Sequence, residues 1–219
     1  MSNFIKILAI DTSTDACSVA VSFQGNIIGY DEIIPKAHTK ILLPMVDRLL
    51  KEVGLELAAL DAFAFGRGPG SFTGVRIACS VIQALSFGMK KPVIPVSTLR
   101  ALAQGAYREL GVEQVFATLD ARLQEVYWGL FRKDSQGIMQ PVSDEKVQSR
   151  DRIQLPEGSW YSVSCFPKAS DIVEIALADH RLNRTVSSEY ALPVYVRDEV
   201  VKRPTATQDL KPPFKDFTF

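Results

Sequence analysis

Two aspartates are placed where they could do chemistry. Asp11 closes the apolar run Ile5-Lys6-Ile7-Leu8-Ala9-Ile10, and Asp120 closes Val115-Phe116-Ala117-Thr118-Leu119. Acids at the carboxyl ends of strands face the ligand crevice of α/β proteins, where a pair can hold a metal and the phosphates of a nucleotide. Asp also caps turns, and that plain role is open to both. The stretch Gly66-Arg67-Gly68-Pro69-Gly70-Ser71-Phe72-Thr73-Gly74-Val75-Arg76 is the most informative in the chain. Alternate glycines permit positive φ and close approach, and Ser71 can cap a helix whose N-terminus attracts anions. No Gly-Lys-Ser/Thr follows, so it is not a Walker A loop. Thr73 stands where a dinucleotide fingerprint needs its third glycine. An anion cradle and a tight strand-to-helix turn are equally open. The expected cleft set is Asp11, Thr12, Ser13, Gly68, Gly70, Ser71 and Asp120.

Other catalytic chemistries lack their residues. The two histidines, His38 and His180, are far apart, so no His-based metal pair is expected. His38 reads as a capping or surface residue, and His180 as a cation at a helix end. Cys17, Cys79 and Cys165 form no C-x-x-C pair, which argues against structural zinc and a disulfide framework. Ser71 is not in a G-x-S-x-G elbow.

The elements that position these residues follow from periodicity. After the first strand, Ser18–Phe23 and Ile27–Ile34 are joined by a Gln24-Gly25-Asn26 hairpin signal. Leu42, Met45, Val46, Leu49 and Leu50 mark a helix over Ile41–Val53, kinked or delayed by Pro44 and stopped near Gly54. Ala62–Phe65 is a buried strand, followed by a helix over Phe72–Phe87 and a strand over Val93–Val96. Ser97 caps a helix that ends at Gly111. The pattern then restarts: strand, terminal acid Asp120, strand Val126–Phe131, and a Gln136-Gly137 turn matching Gln24-Gly25. A helix over Ser170–Ala178 and a strand-and-helix stretch over Leu192–Val201 complete it. One duplication of this size is a paired domain, not a solenoid. The expected division is an N-terminal lobe over 1–110, a degenerate C-terminal lobe over 111–202 and a Pro-containing tail over 203–219. That tail is expected to be extended, although Phe214, Phe217 and Phe219 could dock locally.

The paired strand–acid units resemble the actin-like (ASKHA, RNase H-like) two-lobed α/β fold of sugar kinases and heat-shock ATPases. In that family the two acids and their loops embrace Mg–ATP. Its catalytic members place glycine two residues after the first acid, whereas this chain has Ser13 there, and Ala121-Arg122-Leu123 after Asp120. A second-lobe glycine pair for adenosine is also missing, since only Gly158 follows Gly137.

A closer resemblance rests on Ile10-Asp11-Thr12-Ser13-Thr14, the glycine stretch Phe65–Arg76, Val96-Ser97-Thr98-Leu99, Leu119-Asp120-Ala121-Arg122 with Glu125-Val126-Tyr127, and Pro193-Val194-Tyr195-Val196-Arg197. In this order they resemble the bacterial TsaB (YeaZ) family from Ile5 to about Val201. The resemblance implies a non-catalytic subunit of the machinery that makes N6-threonylcarbamoyladenosine in tRNA. It would pair with the paralogue TsaD and act with the ATPase TsaE. ATP and Mg would act on those partners, with no intrinsic cofactor or metal and tRNA held only through the complex. The paralogue's His-x-x-x-His metal site is replaced by Ser97-Thr98-Leu99-Arg100-Ala101-Leu102-Ala103. The family's dimer interface falls on Ile41, Leu42, Met45, Val46 and Leu49 of one helix and Ile77, Ala78, Val81 and Ile82 of the next. A homodimer is possible when the chain is alone. Those same apolar positions could equally be ordinary core. Relatives carry a longer segment where Val163–Pro167 stands, which leaves residue transfer onto the second lobe open. The alternatives are an ATP-dependent acyl or phosphoryl transferase of the same fold and, third, a glycoprotease-like peptidase.

Composition narrows the partners. The 219 residues carry 25 basic and 25 acidic side chains and are 47% hydrophobic. Zero net charge argues against a chain that grips nucleic acid by itself. No signal-like start and no apolar run of about 20 residues is visible, so a cytoplasmic protein without membrane contact is expected.

Overall fold

The structure, a computed structural model, describes residues 4–155, 157 and 161–196. Strand β1 (Ile7–Asp11) is buried along its whole length, and its twofold alternation divides it between two cores. It pairs antiparallel with β2 (Ala16–Phe23), which pairs with β3 (Asn26–Ile33), and parallel with β4 (Ala62–Gly66), which pairs with β5 (Val93–Val96). The first sheet therefore runs β3-β2-β1-β4-β5. Leu8, Ile10, Val19, Val21, Phe63 and Phe65 point to one face, where α1 (His38–Glu52) and α2 (Phe72–Met89) pack. Ile7, Ala9, Ala20, Ala62, Ala64, Ile94 and Val96 point to the other. Four alanines on that face let a helix approach closely, and α4 (Ala169–Arg181) lies there.

The second sheet runs β10-β6-β7-β8, with β9 also on β7, from β6 (Gln114–Arg122), β7 (Glu125–Lys133), β8 (Met139–Pro141), β9 (Lys146–Ser149) and β10 (Tyr161–Val163). Its β6 has an antiparallel neighbour on one side and a parallel one on the other, as β1 has in the first sheet. This repeated order is the duplicated actin-like architecture. The helix under the second sheet is α3 (Thr98–Leu110), whose Leu99, Leu102, Ala103 and Ala106 meet Val115, Ala117, Leu119 and Phe131. The lobes thus exchange helices. The chain segment before residue 110 supplies a helix to the second sheet, and the later segment supplies one to the first. A division at 110 follows the sequence but not the packing.

Several boundaries differ from expectation. Helix α1 begins three residues early, at His38, and runs through Pro44. His38 is buried and is the first helical residue, with Ala37 at the cap position, so it is neither the helix cap nor a surface residue. Leu192–Val196 forms no strand; a short 3-10 turn, Ser188–Tyr190, precedes it. The remainder of that stretch and the tail 203–219 lie outside the described residues. The expected interface residues Leu42, Met45, Val46, Leu49, Ala78 and Ile82 are core: none is more than 5% exposed. They face β1, β2 and β4, and the surplus apolar positions are the partly buried Ile41, Ile77 and Val81 around them. Helix α2 has the length and apolar content to cross a membrane, but it spends one face on the first core.

Candidate cleft between the lobes

Asp11 takes the Ile7–Ala9 side of β1 and so turns toward α4, not toward open solvent. It is fully buried. Its Oδ1 accepts from the Ser13 amide at 2.9 Å and from the Ser13 hydroxyl at 2.8 Å, while Oδ2 has no partner among the described residues. Oδ2 lies against Gly66, where a Cβ would sit 1.7 Å from it and 3.5 Å from Ile172 of α4. Burial raises this carboxyl from 3.8 to about 7, partly offset by the two Ser13 hydrogen bonds, with a further push from Asp31. Thr12 is also fully buried and donates to the Gly74 carbonyl at 2.6 Å. Asp11 and Thr12 are expected in the cleft, but both lie beneath it, Asp11 under α4 and Thr12 against Gly74 of α2.

A pH dependence follows. Between pH 3.8 and about 7 the folded protein keeps a proton that the unfolded chain releases. This group's contribution to stability is therefore undiminished below the lower value, falls across the window, and is flat above it. Asp11→Asn is expected to remove that slope. Urea unfolding from pH 4 to 7 should show the variant gaining on the parent by up to about 4 kcal/mol. A constant difference would mean that Asp11 ionises normally.

The glycine stretch resolves toward the turn. At Gly68, with φ +100°, a Cβ would meet the Val194 carbonyl at 2.7 Å, and at Gly70 it would meet the Ser13 carbonyl at 2.5 Å. The close approach that glycine allows is made by the protein's own backbone. Ser71 donates its amide to Ser13 O at 2.6 Å and caps α2 by accepting from the Gly74 amide at 3.3 Å. Gly68 is buried and does not reach the cleft.

What remains open is a cavity of about 680 Å³ between the lobes. Of the expected residues, Ser13, Gly70, Ser71 and Asp120 line it; Asp11, Thr12 and Gly68 do not. Asp120 is half exposed and flanked by arginines, 3.7 Å from Arg122 Nη1 and 3.6 Å from Arg150 Nη2. Beside it the β6–β7 turn holds Arg122, Leu123 and Gln124 all at positive φ. Non-glycine residues there are strained, each by of order 1 kcal/mol. Among the described residues, no three His, Cys, Asp or Glu side chains converge as a metal site.

Sequence reasoning missed the aromatic wall: Phe72, Tyr127, Phe166 and Tyr195. The Phe72 and Tyr195 rings lie 5.5 Å apart, and Arg76 stacks on Phe72 while donating from Nε to the Tyr195 hydroxyl at 2.8 Å. Phe72, Tyr127 and Tyr195 sit inside the motifs that carried the resemblance, but nothing in their spacing places them together. Fold closure does that.

Comparison with known proteins agrees with this architecture. The family model described as TsaD, tRNA N6-adenosine threonylcarbamoyltransferase, matches residues 30–191. The tRNA threonylcarbamoyladenosine biosynthesis protein TsaB of Escherichia coli K12 is 39% identical, over 90% of this chain and 96% of the relative. Its namesake from Haemophilus influenzae is 36% identical, over 90% and 95%. The solved structure of YeaZ from Pseudomonas aeruginosa superposes with a TM-score of 0.83 at 43% identity, covering 87% of this chain and 99% of that one.

Proposed function

This chain belongs to the TsaB family of tRNA threonylcarbamoyladenosine biosynthesis proteins, and from that membership we propose that it is a subunit without chemistry of its own. It pairs with a TsaD-type catalytic paralogue and works beside a TsaE-type ATPase to place N6-threonylcarbamoyladenosine in tRNA. ATP and Mg act on those partners, and tRNA is reached through the complex, in keeping with a net charge of zero.

The observation that carries the non-catalytic half is Asp11. An acid sealed under α4, with Oδ2 pressed on Gly66, has no route to a metal–nucleotide complex. Asp120, the other acid, is engaged by two arginines. Both facts weigh against the ATP-dependent transferase reading, which requires Mg–ATP turnover by the isolated chain. The deciding experiment is reconstitution with the paralogue, the ATPase, threonylcarbamoyl-adenylate and tRNA. Omitting this chain is expected to abolish modification, and unchanged modification overturns the reading.

The partner-facing surface is the outer side of α1 and α2, where Leu43, Ala84 and Phe87 are exposed. Met45 is 5% exposed, so Met45→Asp unfolds the first lobe and reports on stability, not on pairing. Ala84→Arg leaves the fold intact, within about 0.5 kcal/mol. It is expected to weaken binding to the paralogue at least tenfold by titration calorimetry. Undiminished binding would move the interface elsewhere.

A further inference from the structure

We propose that the cavity between the lobes is filled by the chain's own C-terminal segment, residues 204–219, through Phe214, Phe217 and Phe219. This inference rests on the cavity and the sequence alone, and stands or falls separately from the role in tRNA modification.

Three observations point to this occupant. The described chain reaches the cavity just before it stops at Val196: Tyr195 is one of the walls. Its course there is pinned, since the Val194 amide donates to Arg67 O at 2.8 Å and Arg76 holds the Tyr195 hydroxyl. The last described residue, Val196, thus directly follows a residue of the cavity wall. A random-coil linker as long as the stretch from Val196 to Phe214 has a root-mean-square span of roughly 25 Å. Tethering at that range gives an effective concentration of order millimolar, enough to occupy a weak site.

The chemistry also matches. The cavity presents the rings of Phe72, Tyr127, Phe166 and Tyr195 with Leu119, and these favour aromatic side chains in offset or edge-to-face contact. Its polar lining includes Asp15, Asp120 and Arg122. The segment sets Lys215 and Asp216 between Phe214 and Phe217, so a cation and an anion arrive beside the rings. A volume of about 680 Å³ is that of a site for a compact ligand, not a packing defect.

Cys165 supplies a built-in reporter. It lines the cavity and is exposed, whereas Cys17 and Cys79 are buried. Labelling with an aromatic disulfide reagent would be timed at pH 8.5, because burial pushes the Cys165 thiol upward. The full-length chain would be compared with Phe214→Ser/Phe217→Ser/Phe219→Ser, which changes nothing in the described fold. The triple variant is expected to label at least fivefold faster, and a synthetic peptide of residues 204–219 to slow it again. Equal rates in the two proteins overturn the proposal. So does protection of the parent chain that disappears on dilution, which would assign the cavity to the tail of a second copy.

Discussion

Gly74→Ala is expected to destabilise the protein by about 3 kcal/mol or more, measured as a lowered urea midpoint. Helix propensity alone forecasts the opposite, a gain of about 1 kcal/mol for alanine in a helix. Packing decides the sign. The new methyl would lie 1.8 Å from the Thr12 carbonyl oxygen, and Thr12 is itself fixed by its hydroxyl bond to the Gly74 carbonyl. Neither backbone can retreat without opening the contact between α2 and the turn after β1. At Gly88, in the same helix, an added methyl would meet nothing within 4 Å among the described residues. Gly88→Ala should therefore raise the midpoint slightly. A matched response at the two positions would refute the steric argument.

Asp179→Ala is expected to cost about 3–5 kcal/mol, because it strands a buried cation. Arg100 on α3 donates from Nη1 to Asp179 of α4 at 2.6 Å, from Nε to the Met139 carbonyl at 2.6 Å, and from Nη2 to Gln140 at 3.2 Å. Both charged side chains are almost wholly buried. Arg184 adds a second contact to Asp179 at 3.2 Å. One guanidinium thus joins the helix of the second lobe, the edge of its sheet, and the helix that covers the first sheet. Replacing both partners, as Arg100→Met/Asp179→Leu, removes the stranded charge and should recover most of the loss. A double variant as unstable as the single one would show that the side-chain hydrogen bonds, not the lone charge, set the cost.

Much of this was legible from local patterns. The Gln24-Gly25 turn holds both residues at positive φ, as its hairpin requires, and Gly111 ends α3 in the left-handed region. Ser71 and Ser97 cap α2 and α3 through their hydroxyls. The repeat of strand, acid and hairpin returned as the matched neighbourhoods of β1 and β6. Direction was not legible. The apolar positions of α1 and α2 extend beyond one face, so Met45 and Leu43 look alike in sequence, while one is core and the other half exposed. Asp11 faces a helix supplied from far along the chain, and no local pattern around residue 11 announces that cover. The cavity escaped for the same reason, because its rings come from α2, β7, the loop before α4 and the segment after Ser188–Tyr190.

The exchanged helices bear on how the protein is made. On the ribosome the first sheet is complete once Val96 has emerged, and α1 and α2 can close one side at once. Its other side, with Ile7, Ala9, Ile94 and Val96, waits for α4, which is synthesised only after all of the second sheet. A nascent chain halted near residue 110, or a fragment cut there, carries a bare apolar surface of the kind that draws chaperones or aggregates. The duplication that built this protein left two similar halves, and neither half is a molecule in its own right.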